Sequence, residues 1–98
     1  MLKMCDEEIT SVNADTDIDR GFCIYLVQAD IGSITLTLPD ITSVEGAMVK
    51  FSRKDGSFGN TVTIVGTGGQ TIDGAASKSL VVGEKFAVIS YLDNWQSV

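Results

Sequence analysis

The stretch Gly32-Ser33-Ile34-Thr35-Leu36-Thr37-Leu38-Pro39 decides the fold class. Ile34, Leu36 and Leu38 fall on one face of an extended chain, and Ser33, Thr35 and Thr37 fall on the other. Apolar and hydroxylated residues alternating with a period of two form a strand buried on one side. Pro39 stops it, because proline has no N–H to give to a sheet ladder.

The same pattern recurs on both sides of this stretch. In Asn60 to Val65, Val62 and Ile64 point one way, and Thr61 and Thr63 point the other. Ala47 to Arg53 carries Val49 and Phe51 inward with Lys50 outward. Ser79 to Val82 and Asn94 to Val98 are shorter candidates, and Glu8 to Ala14 is a weaker first strand. Two segments are apolar on both faces. Phe22, Ile24 and Leu26 alternate with Cys23, Tyr25 and Val27, and Phe86 and Val88 alternate with Ala87, Ile89 and Tyr91. A strand apolar on both sides sits between layers or between subunits. Phe22, Ile24, Tyr25, Phe86, Val88 and Tyr91, together with Trp95 near the end, are therefore the candidate subunit interface.

Turn signals separate the strands: Pro39-Asp40, Ser43 to Gly46, Asp55-Gly56, Phe58-Gly59-Asn60, Gly66 to Gly69, Asp73-Gly74, Val82-Gly83-Glu84 and Asp93-Asn94. Punctuation this regular predicts an all-β fold, an antiparallel β-sandwich or jelly-roll-like barrel. No segment has helical periodicity. At 98 residues the chain is read as one β domain over 9–98, preceded by an arm or first strand over 1–8. A domain of this size buries a modest share of its surface, and self-association would help it.

Charge and composition narrow the function. The formal net charge is −6, which repels nucleic-acid phosphates and anionic lipid and leaves basic protein surfaces as partners. Neither a membrane span nor a secretory leader is read in the sequence, since Asp6, Glu7 and Glu8 stand where a leader needs an apolar stretch. The expected compartment is a cytoplasm. There is no histidine, so the common base for a serine or cysteine nucleophile is missing, and no enzyme activity, catalytic residue or cofactor is expected. Cys5 and Cys23 match no zinc spacing and are read as thiols.

Three local patterns could carry chemistry. Asp15-Thr16-Asp17-Ile18-Asp19 alternates carboxylates as a calcium loop does, but Arg20 and Leu26 stand where the loop glycine and the bidentate glutamate belong. An acidic solvated loop is the preferred reading, with no metal assigned. Gly66-Thr67-Gly68-Gly69 lacks the helix a phosphate loop needs and reads as a bend. Phe58, between Ser57 and Gly59, is an aromatic in a loop, either a candidate contact residue for another protein or a ring folded back onto the sheet. Met1, Leu2 and Met4 in the arm are candidates of the same kind.

The order of these motifs resembles a β-domain of tailed-phage virion proteins. The resemblance runs through Ile34-Thr35-Leu36-Thr37-Leu38-Pro39, Lys50 to Asp55, Gly59 to Ile64, Gln70-Thr71-Ile72-Asp73-Gly74, Phe86 to Leu92 and Asn94-Trp95, with Gly21 to Val27 before them. It implies a non-enzymatic, trimeric module of a virion assembled in the host cytoplasm. The expected role is a capsid decoration, or cement, protein. Its partners would be its own copies and the major capsid protein, reached through Met1, Leu2, Met4 and Phe58, with no nucleic acid or membrane. The alternatives are a fibre or tail-tip module that recognises host-surface glycan, and a baseplate or tail subunit.

Overall fold

The computed structural model describes residues 9–18, 23–41, 47–92 and 94–98. Among these are nine strands and no α-helix. They are β1 (Ile9–Val12), β2 (Thr16–Asp17), β3 (Cys23–Val27), β4 (Ile34–Thr37), β5 (Met48–Arg53), β6 (Val62–Val65), β7 (Ser77–Ser79), β8 (Lys85–Tyr91) and β9 (Asn94–Ser97). They build a five-stranded sheet in the order β1-β3-β5-β8-β9 and a four-stranded sheet in the order β2-β4-β6-β7.

The first six strands go alternately to one sheet and then to the other. Each return stacks parallel on the strand before it in that sheet: β1 on β3 on β5, and β2 on β4 on β6. The chain thus winds as a coil, and β7, β8 and β9 close it with antiparallel pairings. This corrects the expectation of antiparallel sheets: both are mixed. Several of the turn signals lie in crossings between layers. No barrel closes either, since β1 and β9 are the edges of one described sheet and β2 and β7 those of the other.

The alternation read from sequence positions the core. Ile34, Leu36 and Leu38 are buried while Ser33 and Thr35 are exposed, and Val62 and Ile64 are buried below Thr61 and Thr63. The other sheet contributes Tyr25, Val27, Val49, Phe51 and Val88, with the Tyr25 and Phe51 rings stacked at 6.0 Å. All of these side chains belong to one cluster. Each large one removed from water stabilises the fold by about 1.5–3 kcal/mol. Trp95 is fully buried in that cluster. Its indole N–H has no hydrogen-bond partner among the described residues.

Two details differ from the sequence expectation, and the glycine-rich stretch keeps its expected bend while doing more. Thr16–Asp17, read as acidic loop, is a short strand that pairs with Leu36 and Thr37. The strand expected at Ser79 to Val82 lies earlier, at Ser77–Ser79, with Leu80 turning into the core. The glycine-rich stretch is a clamp. The Thr67 hydroxyl donates to the Leu38 carbonyl at 2.7 Å, and the Gln70 amide oxygen accepts the Ile41 N–H at 3.0 Å. Gly68 and Gly69 have φ of 64° and 83°, values that glycine adopts without strain.

Candidate interaction site

Because the strands of each coil turn run in register, the connections 13–15, 28–33, 54–61 and 80–84 gather at one end of the two sheets. They are cross-linked there. The Asp15 carboxylate accepts the Thr35 N–H at 2.8 Å, the Thr61 N–H donates to the Ser33 hydroxyl at 2.9 Å, and the Asn60 amide donates to the Ala29 carbonyl at 2.6 Å.

Arg53 organises this rim. It follows Val49 and Phe51 at inward parity on β5 and is buried beneath the loops. Its guanidinium grips Asp55 through Nε–Oδ1 at 3.0 Å and Nη2–Oδ2 at 3.1 Å. It also donates to the carbonyls of Leu80 at 2.7 Å, Ser57 at 3.1 Å and Asn60 at 2.7 Å. The planar fork of arginine suits this task, since one cation satisfies carbonyls from two loops while holding a carboxylate with two bonds. These hydrogen bonds hold the Asp55 carboxyl well below the usual carboxylate range. Burial pulls the other way, and the backbone N–H groups of Ala29 and Ser57 add to the lowering.

Phe58 sits between Ser57 and Asn60, the two residues whose carbonyls Arg53 holds, and is 86% exposed. It lines a shallow groove with Asn60, Thr61, Leu80 and Val81, and Val81 is itself exposed. An aromatic ring kept in water on a pinned loop has the form of a contact anchor: little ordering entropy remains to be lost when a partner covers it. The opposite lip of the groove is held by Glu84, which accepts the Val81 N–H at 3.0 Å and pairs with Lys78 at 2.8 Å. Burial pushes the Glu84 carboxyl up, but the Lys78 ammonium and the Val81 N–H outweigh it, and the net shift is downward.

The remaining candidates fall in different places. Tyr25, Val88 and Trp95 are buried in the chain's own core and present no surface. Phe86 packs partly buried against that core, with the Lys78 ammonium 5.0 Å above its ring. Ile24 is half-buried on the outward side of the five-stranded sheet, and Tyr91, on the same side, is exposed. Phe22, Met1, Leu2 and Met4 lie outside the described residues, as do Cys5 and Asp19. Of the aspartates in the acidic stretch, Asp15 braces Thr35, while Asp17 is exposed on β2. Among the described residues, no three carboxylate or thiol side chains come together as a metal site.

Sequence reasoning missed Arg53. The signal was present: an arginine two residues beyond Phe51 continues the inward parity of Val49 and Phe51, where a cation requires a buried partner. No protein-family model matches the chain, and no curated protein matches it.

Proposed function

We propose that this chain is a non-enzymatic structural module of a tailed-phage virion. In this reading it is a capsid decoration protein: the two sheets pack as a sandwich, the copies form a trimer, and the assembly bridges capsid subunits. The observation that carries it is Phe58, held exposed on a loop that a buried ion pair braces from below. The loop serves the fold through its backbone and Asp55, but the exposed ring adds nothing to the core and is free to serve contact. The order of strand and turn motifs from Ile34 to Trp95 supports the virion context, and the −6 charge supports a basic docking surface. Several weak anchors on one trimer would add by avidity.

Host-surface recognition at a fibre or tail tip is the second reading. The hydroxylated outer side of the four-stranded sheet favours it, where Thr35, Thr63 and Ser79 lie in register across three strands. Hydroxyl rows of this kind can meet the polar edges of a glycan. Purified protein mixed with undecorated heads separates the two. Saturable binding at a fixed copy number per head, lost in Phe58→Ala, is expected for decoration. Binding to host cells with none to heads would replace it with the second reading.

A further inference from the structure

The two sheets have outer sides of opposite character. On the four-stranded sheet, the outward positions are Asp17, Thr35, Thr37, Thr63, Ser77 and Ser79, with Val65 the one aliphatic residue among them. On the five-stranded sheet, the outward positions include Ile9, Ile24, Leu26, Met48, Ile89 and Tyr91. The same chain therefore contains its own control. One sheet side is furnished with hydroxyls and a carboxylate, and the other carries branched aliphatics, methionine and tyrosine among the polar Ser11, Ser52, Asn94 and Gln96. Ile9 and Tyr91 are 56% and 59% exposed. The core does not need these side chains, because the inward positions of the same strands already carry Tyr25, Val27, Val49, Phe51 and Val88.

The charge of this side is also distinct. Lys50 and Lys85 project from it, exposed, and no carboxylate shares it among the described residues. The chain as a whole is acidic, at −6. We propose that the outer side of the five-stranded sheet is covered by a second copy of this chain, docked head-to-tail. It would carry an acidic surface of the next copy on this apolar, basic one. This rests on the self-association in the reading above and names its surface and its symmetry.

Three arguments choose the occupant. First, pairing this side with itself about a two-fold axis would gather the lysines of both copies on one apolar patch, whereas a head-to-tail contact gives them carboxylates. Second, the chain offers a matching surface. Ile31 is 83% exposed beside Asp30 and shares a shallow depression with Asp15. Third, the area of this side is too small for a stable contact between two copies alone, which favours a closed ring over an isolated pair. Five strands spaced about 4.8 Å apart and about five residues long make a side of roughly 400 Å² in plan. That is short of the ~800 Å² per partner of a standard interface. In a closed head-to-tail ring each copy makes two contacts, one through this side and one through the Ile31 surface.

Light scattering on the full chain tests this with a charge exchange. The wild type should run as a closed oligomer. Lys50→Glu with Lys85→Glu, and separately Asp30→Lys with Ile31→Lys, should each fall to the mass of a single chain. Circular dichroism checks that both variants keep the wild-type fold; all four positions are exposed, and Asp30 gives up its contact with the Ser57 hydroxyl. An equimolar mixture of the two variants should rise to at least the mass of a one-to-one pair, because each then meets an oppositely charged surface; a ring with an odd number of copies cannot alternate the variants, so recovery of the full wild-type mass is not required. A monomeric wild type overturns the proposal, as do variants that stay fully assembled. A mixture that remains monomeric overturns the head-to-tail pairing. Heads are not needed in this assay, so a chain that assembles as described but ignores heads loses only the decoration reading.

Discussion

Arg53 and Asp55 form a two-armed ion pair inside the molecule, with Nε–Oδ1 at 3.0 Å and Nη2–Oδ2 at 3.1 Å and almost no exposed side-chain surface on either partner. The pair joins the end of β5 to the loop that carries Phe58, and the same guanidinium reaches the β7–β8 turn through the Leu80 carbonyl. A fold element and a contact loop therefore share one cation.

Replacing Arg53 should be costly. Arg53→Met leaves Asp55 buried without its cation and strips donors from three loop carbonyls, a loss of about 3–5 kcal/mol. Arg53→Lys should recover little, because an ammonium cannot make the two-armed grip. Urea unfolding gives the magnitude. Hydrogen exchange should show the loss of protection concentrated over 54–60.

Acid should destabilise the fold. Asp55 and Asp73 lie below their ordinary value of 3.8 and Glu84 below its ordinary 4.5. The Ser97 hydroxyl and N–H lower Asp73. A carboxylate with a depressed folded pKa binds fewer protons folded than unfolded at intermediate pH, so stability rises with pH there. The contribution is complete above the ordinary values and is lost as pH falls below them toward the folded ones. The urea midpoint should be flat above about pH 5 and drop steadily below about pH 4. Asp55→Asn should lower the plateau and make the acid slope shallower; an unchanged slope would remove Asp55 from the account.

Gly66→Ala should destabilise although its backbone is not left-handed. A β-carbon there lands on the Gln70 carbonyl oxygen, and that residue also holds Ile41 and Asp40. A backbone atom cannot swing aside as a side chain can, so a cost of about 1–3 kcal/mol is expected. Gly59→Ala is the control, since a β-carbon at Gly59 meets open space. Its melting temperature should match the wild type.

Phe58→Ala should leave stability within about 0.5 kcal/mol, because the ring is exposed and the loop is held by Arg53 from below. Thermal unfolding checks it. A large drop in melting temperature would mean the ring is part of the fold and would remove it as a contact anchor.

How much of this was legible in the sequence varies by residue. Ile34, Leu36 and Leu38, and likewise Val62 and Ile64, were placed correctly on the inward side, because alternation alone decides which face a strand buries. Thr16–Asp17 was not legible as a strand, since it has no apolar alternation and pairs only because β4 lies beside it. The coil was hidden for another reason. Ile9 stacks on Ile24, and Ile24 on Lys50, so successive turns differ in length and leave no repeat to detect. The Phe58 site was half legible: its place in a loop could be read, but neither the exposure of its ring nor the ion pair beneath it could.

By itself the sequence determined the strand class, the inward and outward faces of the main strands, the acidic charge and the lack of histidine. These are local properties, set by side-chain period and composition. Only the tertiary structure decided that the sheets are mixed, that Arg53 and Asp55 meet beneath Phe58, and that one outer side is apolar while the other is hydroxylated. Periodicity says which side chains share a face. Which strand lies beside which depends on how the connections cross between layers, and that is a property of the whole folded chain.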